Sequence, residues 1–317
     1  MNVWLRLALK DHSDNTLIMQ YLIHLRDSGM GLIHFVQKWN STYFFEFVKF
    51  LNYFDTKYFY FILFPVIWML FGTYYGRRIF FLFYLCGISN HALKQLFALV
   101  RPFHDDPSVG IVKLGGYGFP SGAAQSSILL CALLIYHWKN KWAWLIGIAY
   151  TLLISFSRIY LGVHYPLDIY GGWIAGAVLF VIYVYLFPQI ERVFNKTSHL
   201  GKFITYLAFL GLTFFLHLPI FFYYSSMAIG MVVGVFLIQH LKISFPKTSL
   251  LIKILVQVPI SILGLFLIIL CNHTISFKPA FLHDFLFLAI LGFWIGYPVY
   301  YSSYIPRLFK RNSKKGF

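Results

Sequence analysis

The sequence predicts an all-α protein that crosses a membrane many times. Of its 317 residues, 59% are hydrophobic and only 11% are charged, and the mean hydropathy is +0.70. Apolar runs of about 20 residues recur, and each is long enough to cross a bilayer core of about 30 Å as a helix. We therefore expect a polytopic membrane helical bundle with about nine transmembrane helices, which follow an interfacial amphipathic segment at the N-terminus.

The predicted elements divide the chain into three segments. Residues 16–40 mix apolar and polar positions at near-helical spacing. They are too polar to span a bilayer and are typical of amphipathic helices at the membrane interface. The predicted spans lie at about 57–75, 79–100, 121–138, 142–161, 167–187, 203–222, 225–243, 250–271 and 281–304. We expect an interfacial segment at 1–56, a five-span core at 57–190 that carries most of the unusual polar residues, and a four-span addition at 191–317.

Basic residues fall in alternate short loops and in the C-terminal tail, which together account for much of the net charge of +16. By the positive-inside rule, these loops and the tail are expected in the cytoplasm, in a cell (inner) membrane protein whose other face is periplasmic or lumenal. The same distribution makes nucleic acid a poor candidate partner. The cysteines lie inside apolar runs and show no metal-binding spacing.

Other polar residues accumulate on the side opposite the basic loops. Lys94 lies within the second predicted span, where a lysine is costly unless it lines a cavity, finds a partner or snorkels outward. Arg101 follows seven residues later, so the two share a helix face if the helix extends that far. In "GGYGFPSGAA", Ser121 is the predicted N-cap of the third span, and the N–H groups of Gly122 and Ala123 point toward an anion site.

A histidine and an aspartate lie between the fourth and fifth predicted spans, in "SRIYLGVHYPLDIYGG". Asp168 can accept a hydrogen bond from one ring nitrogen of His164 and leave the other as nucleophile or base; a purely structural pair is the alternative. The span directions bring this pair, the helix start and three cations, among them Arg158, to one membrane face. Such a set predicts a phosphoryl site that needs no metal ion or cofactor.

These motifs resemble the three-part signature of the type 2 phosphatidic acid phosphatases. That superfamily also includes undecaprenyl-diphosphate phosphatases, glucose-6-phosphatase and vanadium haloperoxidases. The matching patterns are Lys94-x6-Arg101-Pro102, Pro120-Ser121-Gly122 and Ser157-Arg158-x5-His164-x3-Asp168. The resemblance implies that His164 forms a phosphohistidine, that Asp168 orients it, and that the phosphate is held by Lys94, Arg101, Ser121, Gly122 and Arg158.

The second motif departs from the family at Ala123, where the resemblance implies a histidine that protonates the leaving group. Three interpretations remain open. The natural leaving group is good enough to need no acid, another residue such as His104 in "RPFHDDPS" replaces it, or the alanine was introduced to trap a substrate complex.

The sequence therefore favours a membrane-embedded phosphatase or phosphotransferase that acts on a lipid phosphate, such as undecaprenyl diphosphate, at the periplasmic face. The alternative is a protein of the same fold that binds or transports such a lipid without turnover. An oriented His–Asp pair favours the enzyme, because a binding protein needs only the cations.

Overall fold

The computed structural model describes residues 24–26, 28–39, 41–54, 56–215, 219–241, 249–275 and 278–296, and within these ranges every regular element is a helix. The chain forms two compact units. The first comprises Met1–Thr56 and Leu85–Val184, and the second comprises Lys57–Tyr84 and Tyr185–Phe317. The start of the predicted amphipathic segment and the predicted cytoplasmic tail lie outside the described residues. The three-segment division stays a prediction.

The helices of the chain are numbered in order. They are α1 (Met30–Gln37), α2 (Thr42–Tyr53), α3 (Lys57–Phe97), α4 (Pro102–Asp105), α5 (Gly122–Trp138), α6 (Lys141–Tyr160), α7 (Pro166–Tyr185), α8 (Phe187–Asn195), α9 (His199–Phe215), α10 (Pro219–His240), α11 (Leu250–Ile252), α12 (Val258–Thr274) and α13 (Ala280–Gly296). A short 3-10 turn follows α4, and a π-helical stretch joins α11 to α12.

Helices α1 and α2 are amphipathic, and one face of each is buried within the first unit. Ile33 and Val48 are fully buried, the latter in a cluster with Tyr160 and Val163. The opposite face still carries exposed apolar side chains such as Phe35 and Phe50. This segment thus supports the loop that joins α6 to α7. Its second apolar face is exposed, as is typical of a helix at a membrane interface.

The backbone of α3 is helical throughout, yet the chain reverses direction within it. A straight helix rises 1.5 Å per residue, which would separate Phe64 from Phe80 by about 24 Å. Their ring centroids lie 5.2 Å apart, and those of Tyr60 and Phe83 lie 5.7 Å apart. The reversal is centred between Trp68 and Gly76. These two residues are in contact, since a Cβ added at Gly76 would meet the Trp68 ring. The predicted loop at Arg77 and Arg78 is therefore wrong in place, because both residues lie inside the returning helix.

Close packing of α5 against α7 positions the candidate site. Gly172 and Gly176 face α5, where a Cβ would meet backbone atoms of Ser121 and Gln125. Small residues four apart let two helix backbones approach closely, as is common between membrane helices. This approach brings the start of α5 against the start of α7.

Three helices in the described residues are long and apolar enough to cross a membrane: Lys141–Tyr160, Pro166–Phe194 and Lys253–Asn272. Shorter apolar helices are Gly122–Trp138, Ser225–Ile238 and Ala280–Gly296. The described part of the chain is therefore that of a helical membrane protein, but the predicted count of nine spans is not confirmed. In the second unit, Gly230 and Gly292 mark a close contact between α10 and α13.

Candidate functional site

The start of α5 has the Ser121 N-cap predicted from the sequence, and its first turn, Ser121–Gly122–Ala123, is called the cradle. The Ser121 side chain caps the helix by accepting from the backbone N–H of Ala124 at 3.4 Å. The first turn of a helix leaves its N–H groups without intrahelical partners, here at Gly122 and Ala123. The Ser121 N–H donates to the carbonyl oxygen of Asp168 at 2.9 Å. The cradle is thereby tied to the helix that carries the predicted aspartate.

A buried amide pair, which the sequence did not single out, supports this cradle from behind. Nδ2 of Asn90 donates to the Pro120 carbonyl at 3.2 Å and to Oε1 of Gln125 at 2.9 Å. Gln125 is fully buried and donates in turn to Ser89 at 3.0 Å. The network fixes α3 to the start of α5, so Asn90 and Gln125 act as positioning residues. Their polar side chains inside apolar spans were the available signal.

Lys94 and Arg101 converge on the glycine-rich loop before α5, although they do not share a helix. Helix α3 ends at Phe97 with Ala98 in the left-handed conformation, so the helix does not extend to Arg101 and the condition for a shared helix face is not met. Nζ of Lys94 donates to the carbonyls of Tyr117 and Gly118, at 2.6 and 3.0 Å. Arg101 donates to Gly115 and Gly116 through Nη2 and Nε, at 3.2 and 3.1 Å. The two cations thus reach the same short loop from different directions.

His164 lies between an arginine and a carboxylate. Its Nε2 is 3.2 Å from Nη1 of Arg101, and its Nδ1 is 3.3 Å from Oδ2 of Asp168. The same Oδ2 accepts the Tyr165 backbone N–H at 3.0 Å. His164 is 4% exposed and Asp168 is fully buried. In the described part of the chain, Oδ1 of Asp168 is buried and has no hydrogen-bond partner.

Burial, followed by the charges of Lys94, Arg101 and Arg158, holds the pKa of His164 well below its usual range. All three predicted cations therefore act on the same imidazole. Arg158 is 1% exposed and its Nε donates to the Ser157 hydroxyl at 3.2 Å. The structure brings together the residues predicted from the first, second and third motifs.

Ala123, at the position of the implied acid, and His104, its candidate substitute, differ in their surroundings. Ala123 is 3% exposed and lies in the first turn of α5. His104 is exposed in α4, where its ring lies 4.5 Å from that of Phe103. Within the described residues, no hydrogen bond or ion pair joins the His104 side chain to His164 or to the cradle. Its role as a substitute acid stays a prediction.

The N-terminal segment reaches the site through Arg26, a residue that the sequence did not single out. Arg26 is 5% exposed, and its guanidinium lies 2.9 Å from Oδ2 of Asp105 and 4.9 Å from the Tyr165 ring centroid. The Tyr165 hydroxyl donates to the same Asp105 oxygen at 2.8 Å. Because Tyr165 follows His164 directly, this triad fixes the loop that carries the imidazole.

Known proteins are similar in sequence to the part of the chain that carries these residues. The model of the PAP2 superfamily matches residues 75–192. An undecaprenyl-diphosphatase from Sulfolobus acidocaldarius is 33% identical over 97 residues, 30% of this chain and 47% of that protein. A lipid A 4'-phosphatase from Bacteroides thetaiotaomicron is 32% identical over 96 residues, 28% of this chain and 43% of that protein. The chain thus spans less than half the length of these relatives.

A solved structure is also similar, that of a transmembrane PAP2-type phosphatidylglycerolphosphate phosphatase from Bacillus subtilis. Its TM-score is 0.47 and its sequence identity 23%, over 56% of this chain and 94% of that one. The family match covers the whole set of predicted site residues, from Lys94 to Asp168. Residues 75–192 of this chain are thus similar to the PAP2 superfamily.

Proposed function

We propose that this protein is an integral-membrane phosphatase or phosphotransferase that removes a phosphoryl group from a lipid diphosphate through a phosphohistidine. The observation that carries the proposal is the placement of His164 between Arg101 and Asp168, beside the first turn of α5. The names of the relatives, an undecaprenyl-diphosphatase and a lipid A phosphatase, support a lipid phosphate as substrate.

In the proposed reaction, Nε2 of His164 attacks the terminal phosphorus atom while the bond to the bridging oxygen breaks. The bridging oxygen leaves on the lipid monophosphate, and the phosphoryl group stays on the histidine. Lys94, Arg101 and Arg158 neutralise the charge of the phosphoryl oxygens, and the α5 N–H groups bind one of them. Water, or the hydroxyl of another lipid, then attacks the phosphohistidine, releases phosphate or a new ester, and regenerates the imidazole.

A diphosphate is the substrate that best fits Ala123. Its leaving group is a phosphate monoester with a relevant pKa of about 6, whereas a lipid monophosphate must expel an alkoxide whose conjugate acid has a pKa of about 16. General acid catalysis accelerates such steps by about 10²–10⁴-fold, and a weakly basic leaving group gains much less from it. A site without an acid at position 123 therefore suits diphosphates.

Phosphate release tests the proposal. Purified protein in detergent is assayed with undecaprenyl diphosphate, undecaprenyl monophosphate, phosphatidic acid and a sugar phosphate. We expect release from the diphosphate well above that of the His164→Ala variant. If wild-type protein binds these lipids tightly but releases no phosphate from any, the protein is a lipid-phosphate binding or transport protein of the same fold.

We further propose that the site faces the periplasm or lumen, since Lys139 and Lys141 mark the opposite end of α5 and α6. Ser108 and Lys141 are exposed and suit single cysteine probes in a Cys271→Ser background, which removes the one described cysteine that is exposed. An impermeant thiol reagent should label Ser108→Cys, but not Lys141→Cys, in intact cells. The reverse pattern would place the site in the cytoplasm.

A further inference from the structure

The histidine and one arginine of the candidate site lie on two chain segments that are far apart in sequence. Arg101 precedes α4 and its 3-10 turn, in residues 101–110, whereas His164 lies in residues 161–165, which join α6 to α7. Nη1 of Arg101 donates to the carbonyl oxygen of Val163 at 3.0 Å and lies 3.2 Å from Nε2 of His164. The position of one segment relative to the other therefore sets the geometry between the arginine and the imidazole.

The two segments approach each other closely at Gly162. This glycine has a φ of +68°, a left-handed conformation that a residue with a side chain rarely adopts. A Cβ added to it would meet the Val109 carbonyl, so the two backbones are in contact at this point. The approach also brings the carbonyl oxygens of Val109 and Tyr160 within reach of one donor.

A single amide nitrogen from the end of α1 bridges these two carbonyls. Nε2 of Gln37 donates to the carbonyl oxygen of Val109 at 2.8 Å and to that of Tyr160 at 2.8 Å. A side-chain amide carries two hydrogens on this nitrogen, which matches the two acceptors. The last carbonyls of a helix have no partner inside that helix, so Gln37 also supplies a donor to the end of α6, which is Tyr160.

The packing of α1 supports the same bridge. Residues three and four apart lie on one face of a helix, so Ile33 and Gln37 share the face of α1 that is turned toward the two segments. Ile33 is fully buried in a cluster with Val109 and Tyr165, one residue from each segment. The cluster that contains Val36 likewise includes residues of both segments. Helix α1 thus fixes the two segments to each other as well as to itself.

We propose that Gln37 is a positioning residue, which holds His164 in place relative to Arg101 by tying the two segments together. The role rests on the proposed phosphatase function, because only a reaction at His164 makes this placement matter. The contacts of Gln37 are with backbone carbonyls, so it acts through the backbone and not on the substrate. A displacement of a reacting group by about 1 Å can cost about 10²-fold in rate, even when its cause lies far from the chemistry.

Three substitutions separate the donated hydrogen bonds from packing. The carboxylate of Gln37→Glu keeps the shape but can only accept, Gln37→Leu keeps the volume without a polar atom, and Gln37→Lys keeps a donor. With a lipid diphosphate, kcat should fall about 10–100-fold in the first two variants, with little change in KM, and should largely recover in the third. The matched control is Gln95→Leu, which makes the same change at an exposed position of the same unit and should leave kcat close to that of wild type.

Amide hydrogen exchange in detergent micelles measures the bridge without any catalysis. Exchange reports local opening, so loss of the two bonds in Gln37→Leu should speed exchange in peptides from residues 101–110 and 161–165. Gln95→Leu should exchange like wild type in these peptides. If Gln37→Leu does not fold, Gln37→Glu takes its place in both measurements. A wild-type protein that releases no phosphate would overturn the proposed function and the catalytic role with it, whereas faster exchange would still show the bridge.

Three results would overturn the positioning role while the proposed function stands. Unchanged exchange in Gln37→Leu would show that the bridge does not hold the segments. Faster exchange with the kcat of wild type would show that Gln37 only stabilises the fold. A loss of kcat in Gln37→Lys as large as that in Gln37→Leu would attribute the effect to packing and not to the donated hydrogen bonds.

Discussion

Nη1 of Arg101 lies 3.2 Å from Nε2 of His164, and this contact fixes the tautomer of the imidazole. A guanidinium group can only donate, so Nε2 must be the acceptor and carries no hydrogen. The hydrogen of the neutral ring is then on Nδ1, which faces Oδ2 of Asp168 at 3.3 Å. The lowered pKa of His164 agrees with a neutral ring. The lone pair on Nε2 is thus directed at the same arginine that is expected to bind a phosphoryl oxygen.

Removal of the imidazole tests its role as nucleophile. His164→Ala should reduce phosphate release to near background, because loss of a covalent nucleophile costs up to about 10⁶-fold in other hydrolases. The matched control is His104→Ala, which removes an exposed imidazole from α4 of the same unit. We expect the control to stay within a few-fold of wild type. Near-normal release by His164→Ala would exclude the phosphohistidine, and a large loss in His104→Ala would identify a substitute acid.

Asp168→Asn should weaken catalysis moderately. Oδ2 of Asp168 accepts two hydrogen bonds, from Nδ1 of His164 and the N–H of Tyr165, so the amide oxygen of asparagine should take this position. The tautomer is then kept and only the negative charge is lost. We expect kcat to fall about 10–100-fold, as for other groups that orient a histidine, rather than the roughly 10⁴-fold caused by a wrong tautomer. A loss as large as that of His164→Ala would contradict this orientation.

The pH dependence should show an acid limb below the usual range of histidine. Because the pKa of His164 in the folded protein is lowered, the nucleophile stays neutral as the pH falls through about 6.5 and becomes protonated only at lower pH. The profile of kcat/KM for a lipid diphosphate measures this. The substrate phosphate also titrates near pH 6, so the profile is repeated with a thiophosphate analogue. A limb that moves with the substrate belongs to the substrate and not to His164.

The salt bridge of Arg26 tests whether the N-terminal segment positions the site. Arg26→Gln should lower the free energy of unfolding by about 1–2 kcal/mol, since its partner Asp105 is partly solvated and a surface pair contributes less than a buried one. It should also lower kcat with little change in KM, because Arg26 holds the Tyr165 ring next to His164. A double-mutant cycle with Asp105→Asn measures the coupling. Additive effects would show that Arg26 does not act through Asp105, and an unchanged kcat in Arg26→Gln would show that Arg26 only stabilises the fold.

The sequence predicted contacts between residues that are close in the chain, and it missed contacts between residues that are far apart in the chain. His164 and Asp168 are four residues apart at the start of a helix, so their contact could be predicted from local geometry. The positioning roles of Asn90 and Arg26 could not be predicted. Their partners lie 30 or more residues away in the chain, and the partners of Asn90 include a backbone carbonyl, which leaves no pattern in the sequence. The reversal in α3 was misplaced for a different reason. Charge marked Arg77 and Arg78 as a loop, whereas the turn lies among the apolar residues before them.

Ala123→His tests why this chain has alanine at the position where the resemblance to type 2 phosphatidic acid phosphatases implies a histidine. The new imidazole lies in the first turn of α5, beside the phosphate cradle, so it can reach a leaving oxygen. It should accelerate monophosphate hydrolysis by up to about 10²–10⁴-fold and change diphosphate cleavage little. The positive helix end and the neighbouring cations lower the pKa of an added imidazole, so the gain should be larger at pH 6 than at pH 8.

Ala123→Asn, a control of similar polarity that does not titrate, should give no such gain. If Ala123→His instead raises diphosphate cleavage from nothing to an enzymatic rate, the alanine disables the site. Equal effects of histidine and asparagine would attribute the change to packing at this buried position.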